Sequence, residues 1–205
     1  MKKIFLTTGL PMFIILAAVL ITGSGCPGTV TPTLPAVACD TTNTKFNQLY
    51  GFAKLTMVGA TDITNMDLLT HEYTFTTNAN QVICKVGYQG NPILFVNNIP
   101  YTIEIVNSAN VVLYSGNHIF QSTVINYKSI SPVNITAGQS YTIRRTVTNY
   151  MGNLATTQGR MLSFNVPANL FPVTNNGLTI TASNFYGTGG PVPNIGIPYI
   201  EIVFQ

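Results

Sequence analysis

The sequence predicts an all-β fold, a single jelly-roll-like β-sandwich. Three observations carry the expectation. Short runs of apolar residues in period-2 alternation recur from Tyr73 to the C-terminus. They are separated by Gly, Pro and Asn in turn-forming combinations. No 3.6-residue period is read beyond the N-terminal apolar segment. The clearest stretch is Pro132–Val147, where Val133 and Ile135 alternate before Ala137-Gly138-Gln139-Ser140, and Tyr141, Ile143 and Val147 after it. Gly138 tolerates positive φ, so the pair reads as a hairpin or a tight β-corner.

The remaining strands follow in order. Glu72–Tyr88 reads as two strands around Thr77-Asn78-Ala79-Asn80, with Val82, Cys84, Val86 and Tyr88 alternating in the second. Tyr101–Val106 and Val111–Tyr114 flank Asn107-Ser108-Ala109-Asn110, a hairpin closed by Ser115-Gly116-Asn117. Ile119–Tyr127, Met161–Phe164, Leu178–Ile180 and Ile200–Phe204 complete the set. Phe46–Leu69 is harder to read; Leu49–Phe52 and Leu55–Val58 are candidate strands.

The N-terminus addresses the chain. Lys2 and Lys3 precede an apolar run, Ile4–Ile21, and then Thr22-Gly23-Ser24-Gly25-Cys26. That order is a secretory signal peptide. The small residues before Cys26 resemble a bacterial lipobox, which implies lipidation of Cys26 and a membrane anchored through it. Gly23 departs from that pattern, where an aliphatic residue is usual three before the cysteine. The alternative is an ordinary signal peptide cut near Gly25. Residues 26–44 are rich in Pro and Thr and read as an extended tether. Within them Asp40-Thr41-Thr42 resembles an O-glycosylation motif used by some Bacteroidetes. The expected organisation is signal peptide 1–25, tether 26–44 and sandwich 45–205, in a bacterial cell envelope.

Charge excludes one class of partner. The formal net charge of +3 includes Lys2 and Lys3, and without them it is +1. No basic footprint for nucleic acid remains. Only 7% of residues are charged, so Asn, Thr and Ser must supply the polar surface. About 180 residues after cleavage suffice for one core. Three cysteines leave Cys39 and Cys84 if Cys26 takes lipid. They form either a disulfide closing a loop of about 45 residues or two thiols, with Cys84 packed beside Val82 and Val86.

Candidate chemistry is sparse. His71 and His118 are the only histidines, and neither lies in a catalytic motif; both are expected at loops or strand ends. Asp62, Asp67 and Glu72 form an acidic group, a candidate Ca²⁺ site whose spacing matches no compact Ca²⁺ loop. The plainer reading is a solvated loop with Asp62 or Asn65 capping a helical turn. No metal, cofactor or catalytic residue is expected. Glycoside hydrolysis needs two acids facing one cleft, for which Glu104 and Glu201 are candidates; both sit mid-strand, and the plainer reading is sheet-surface charges. Arg145 shares a face with Tyr141, Ile143 and Val147, so it should pair with Glu104 or Glu201 or lie at the sandwich rim. Tyr127, Tyr150, Phe185 and Tyr186 lie near loops; Tyr127, Tyr150 and Tyr186 are candidate ligand-stacking residues, and core filling is the plainer role.

Ile135-Thr136-Ala137-Gly138-Gln139-Ser140-Tyr141 resembles the Thr-Ala-Gly-x-x-Tyr corner of the domain-of-unknown-function 4082 family, a jelly-roll-like sandwich. Val82–Tyr88, Tyr101–Tyr114 and Tyr199–Phe204 resemble its early strand, central hairpin and closing strand, so the likeness spans about Glu72 to Gln205. The family commonly carries tryptophan in and after the hairpin, and this chain has none. The resemblance implies fold and compartment and no settled activity. The first functional expectation is therefore a lipid-anchored, non-enzymatic binding or interaction module, with glycans as candidate ligand. The second is a structural component of an envelope complex that meets another envelope protein. A hydrolase is the third.

Overall fold

The computed structural model describes residues 38–66, 69–147, 149, 158–164, 170–187 and 190–205. The expected signal peptide, Cys26, most of the expected tether, Asp67 and Tyr150 lie outside the described residues. In chain order the elements are α1 (Lys45–Thr56), β1 (Ala60–Met66), β2 (Thr70–Thr77), β3 (Gln81–Tyr88), α2 (Pro92–Val96), β4 (Tyr101–Asn107), β5 (Val112–His118), β6 (Asn126–Ile135), β7 (Tyr141–Thr146), β8 (Gln158–Phe164), β9 (Val173–Asn175), β10 (Leu178–Gly187), β11 (Gly190–Pro193), β12 (Gly196–Pro198) and β13 (Glu201–Phe204). The fold is all-β, built from stacked antiparallel sheets, as the sequence predicts.

A seven-stranded sheet runs β11-β10-β2-β7-β4-β5, with β9 added on β10. Two three-stranded sheets run β13-β3-β6 and β1-β8-β12. Alternation decides what each presents. In β7, Tyr141, Ile143 and Arg145 are buried while Thr142, Arg144 and Thr146 are partly exposed. In β4, Tyr101, Ile103 and Ile105 are buried in the same way. The sheets meet through these faces: Tyr88 of β3 lies edge-on to Tyr101 of β4, with ring centroids 5.1 Å apart.

The Pro132–Val147 stretch resolves as a corner. β6 belongs to the sheet with β3, whereas β7 belongs to the seven-stranded sheet, so the chain changes layers at Gly138. Gly138 has φ +73°. The Tyr141 hydroxyl accepts a hydrogen bond from the Thr136 backbone N–H at 3.0 Å, a tyrosine corner. Thr77–Asn80 is a second layer-changing corner, between β2 and β3, where the sequence alone suggested an in-sheet pair. The two corners clasp each other. Gly138 N–H donates to Thr77 O at 2.8 Å, and Ala137 N–H to Asn80 Oδ1 at 2.9 Å.

The β4–β5 hairpin forms as expected, its turn closed by Asn107 Oδ1 accepting from the N–H groups of Ala109 and Val111 at 3.0 and 2.9 Å. β5 continues to His118, past the expected stop at Ser115. Residues 119–125 are not strand, and β6 starts at Asn126.

Phe46–Thr56 corrects the expected strands at 49–52 and 55–58: it is helical. Phe46, Leu49, Tyr50 and Ala53, spaced i, i+3, i+4, i+7, are its buried stripe. Thr44 is the N-cap, its Oγ1 accepting from Asn47 N–H at 3.1 Å. Phe46 stacks on Tyr73 of β2, with centroids 5.4 Å apart, so the helix lids the core. The last residues of the expected tether belong to this body as well. Cys39 is disulfide-bonded to Cys84, with Cα atoms 6.1 Å apart, and Thr44 is buried. No helix among the described residues is long and apolar enough to cross a membrane.

Two stability outcomes are expected. Gly138→Ala places a Cβ at φ +73° and should cost about 1 kcal/mol, while Tyr141→Phe removes the hydrogen bond to the exposed Thr136 N–H, which water can then take, and should cost about 1 kcal/mol; urea unfolding measures both. Replacing Cys39 and Cys84 together by Ala opens a loop of sequence separation 45 and should lower stability by about 4 kcal/mol, read as a fall in the urea midpoint with a steeper slope, because the unfolded chain is then more open.

Candidate ligand-binding groove

The outer face of the seven-stranded sheet carries an ordered polar ladder. Cross-strand register aligns Ser115 of β5, Glu104 of β4, Arg144 of β7, Glu72 of β2 and Asn184 of β10 in one row. The next row aligns Asn117, Thr102, Thr146, Thr70 and Tyr186. Same-face neighbours across strands are within side-chain reach, so each row is a chain of contacts.

Glu72 is the centre. It is buried despite facing outward, because three donors cover it. Arg144 Nε donates to Oε2 at 2.7 Å, Tyr186 OH to Oε1 at 2.8 Å and Asn184 Nδ2 to Oε1 at 3.2 Å. Arg144 also faces Glu104, with Nη1 to Oε2 at 3.6 Å, and Ser115 Oγ lies 3.4 Å from Glu104 Oε1. Thr70 and Thr146 share a hydroxyl hydrogen bond of 3.1 Å. Leu69, Thr70, Glu104, Arg144, Thr146 and Tyr186 line a cleft of about 410 Å³ over this ladder. Burial first, then the hydrogen bond to Glu72, raises the Tyr186 phenol above its ordinary pKa. The hydroxyl therefore stays protonated and donating, and Glu72 fixes the ring as one wall.

A bulge in β10 puts Tyr186 there. Leu178 and Ile180 face the core, but the register shifts between Ile180 and Ala182, after which Ser183 and Phe185 face it. Asn184 and Tyr186 consequently point outward. Phe185 fills the core against His71, with centroids 4.8 Å apart.

The other expected sites resolve differently. Arg144, not Arg145, faces Glu104, because Glu104 is on the outer face. Arg145 is buried on the inner face rather than at the rim, its guanidinium carbon 5.5 and 5.6 Å from the ring centroids of Tyr88 and Tyr101. His71 is the second residue of β2, at a strand end as expected, and is buried; burial, then the Arg145 charge, holds its pKa well below the ordinary range. His118 ends β5, its Nε2 2.7 Å from the Tyr114 hydroxyl. Asp62 and Glu72 occupy different sheets and form no metal site; Asp62 sits in β1, not at a helix cap, and binds Arg160 at 3.0 and 2.7 Å. No cluster of three metal-ligating side chains occurs among the described residues.

Glu201 is fully buried in β13, not a surface charge. Thr44 Oγ1 donates to its Oε1 and Tyr199 OH to its Oε2, the latter at 3.1 Å. Arg160 lies 4.2 Å over the Tyr199 ring. Tyr127 also points to Glu201 rather than to the groove. It crosses Gly87, where a Cβ would lie 2.7 Å from Tyr127 Cε1. Of the candidate stacking residues, Tyr186 alone is placed at the groove, and Tyr150 is outside the described residues. Glu104 and Glu201 share no cleft. Sequence reasoning named Glu72 only in a candidate Ca²⁺ group and did not single out Arg144; their outward parity in β2 and β7 was the available signal.

No family model matches the chain, and no curated protein matches it.

Burial raises the Glu201 carboxyl above its ordinary value of 4.5, against hydrogen bonds from Thr44, Tyr127 and Tyr199 that lower it. A raised folded-state value means that the stability Glu201 contributes is complete at low pH and lost as pH rises through that value. The wild type should therefore lose stability above pH 4.5 in a window that Glu201→Gln does not show. Equilibrium denaturation across this range checks it; parallel pH profiles for the two proteins would contradict it.

Proposed function

We propose that this protein is a lipid-anchored β-sandwich of the bacterial cell envelope that binds glycans through the outer groove. The supporting observation is the convergence of Tyr186, Arg144, Glu104, Thr70 and Thr146 on one cleft of about 410 Å³. A sugar needs an aromatic face for its C–H surface and planar polar groups for its hydroxyls. Tyr186 offers the first, and the carboxylate, guanidinium and threonine hydroxyls offer the second. The hydrogen bonds to Glu72 hold Tyr186 and Arg144 in place before a ligand arrives, which lowers the entropy cost of binding. Hydrolysis by paired carboxylates needs both groups free to act on one bond. Here Arg144 stands between Glu72 and Glu104 and ties up the former, which favours binding over chemistry. The signal peptide and Cys26 support the envelope placement.

An assembly role is the second proposal, and β5 favours it. β5 ends the seven-stranded sheet, and Val111, Val112 and Leu113 are 53%, 50% and 41% exposed. An apolar sheet edge suits pairing with a strand from another envelope protein.

A glycan array probed with the full chain in detergent separates the two. Binding to a polysaccharide class that drops at least about tenfold in Tyr186→Ala is expected; binding unaffected by that change would remove the groove as the site. Mass spectrometry of the mature protein should find an acyl group on Cys26.

A further inference from the structure

The groove's charge deepens the glycan proposal, on which this inference rests. The lining ladder holds two carboxylates, Glu72 and Glu104, against one guanidinium, Arg144. Among the described residues lining the cleft, the ionic side chains are Glu104 and Arg144.

Their partners are unequally engaged. Glu72 has three contacts between 2.7 and 3.2 Å, and its side chain is 7% exposed. Glu104 has contacts at 3.4 and 3.6 Å, and its side chain is 25% exposed. Charge-assisted hydrogen bonds settle near 2.7–2.9 Å. Both contacts of Glu104 are longer than that, so its oxygens retain acceptor capacity towards the cleft. Arg144, in contrast, already faces both carboxylates. A uronate or sulfated sugar would meet a ladder holding two carboxylates against one guanidinium, whose Nε is already committed to Glu72 at 2.7 Å. A neutral sugar would supply hydroxyl donors but leave the excess charge uncompensated.

We propose that the groove selects a glycan bearing a free amine, a 2-amino-2-deoxy sugar whose ammonium binds Glu104 while a neighbouring ring of the same glycan lies against Tyr186. An ammonium brings three donors and no acceptor, which matches a loosely engaged carboxylate. N-acetylation would remove both the charge and two donors, so the acetylated sugar is the informative control.

Isothermal titration calorimetry on the full chain tests this with four probes of equal length: β-1,4-linked glucosamine oligomers, their N-acetylated counterparts, cello-oligomers and oligolysine. The glucosamine oligomer should bind about tenfold tighter than the acetylated and neutral ones. Glu104→Gln should abolish that preference, bringing the amino and neutral oligomers to equal affinity, while an unchanged urea midpoint reports an intact fold. Equal affinity for the amino and neutral oligomers would overturn the amine selectivity and leave the glycan proposal standing. Oligolysine binding as tightly as the amino glycan would overturn the sugar assignment. Binding of none of the four would overturn amine selectivity and count against the glycan reading, whose other polysaccharide classes the array reports.

Discussion

The clasp between two layer-changing corners is the constraint on which the architecture rests. At Thr77–Asn80 the chain leaves the seven-stranded sheet for the sheet of β3, and at Thr136–Ser140 it returns from β6 to β7. Gly138 N–H to Thr77 O and Ala137 N–H to Asn80 Oδ1 hold the corners side by side. Because the corners are adjacent, β2 must pair with β7 in one sheet and β3 with β6 in the other, as they do. Two antiparallel pairings, in two layers, thus share one pair of hydrogen bonds, one accepted by the Thr77 carbonyl and one by the Asn80 side chain. The stagger between the layers is set at the same point.

That pairing creates the groove. Once β2 lies beside β7, Glu72 must face Arg144, and β4 on the far side of β7 brings Glu104 to the same row. Neighbouring arginines then meet opposite environments. Arg144 is half-exposed among carboxylates, while Arg145 is buried between tyrosine rings. The period of two along a strand is enough to separate them. The Glu201 cluster has a different task. Its contact with Thr44 joins the closing strand to the N-terminus of α1, because the Thr44 hydroxyl both donates to Glu201 and accepts from Asn47 N–H. The disulfide from Cys39 fixes the segment just before that junction. The start and end of the described body are therefore held in one place.

Some of this was legible residue by residue. Alternation in 141–147 correctly put Arg145 with Ile143 on the core side, and the Asn107–Asn110 turn marked the β4–β5 hairpin. Other signals were present and went unread. Thr44 followed by Phe46, Leu49, Tyr50 and Ala53 is a capped, helix-spaced stripe, masked by the strand-like Leu-Tyr-Gly-Phe run within it. Asn176-Gly177, with φ of 44° and 77°, turns β9 into β10 as an Asn-Gly hairpin.

Local pattern determined the all-β class, the corner at Gly138 and which residues of each strand share a face, because a pleated backbone imposes its period on any sequence. Tertiary structure alone decided which strands are neighbours. Pairing partners lie 72 residues apart for Glu72 and Arg144, and no local period encodes that separation. It also decided that Tyr186 faces the groove, since the bulge after Ile180 reverses the parity that Leu178 and Ile180 set. It decided, too, that Glu104 and Glu201 never meet, because they stand in different sheets that close around one core.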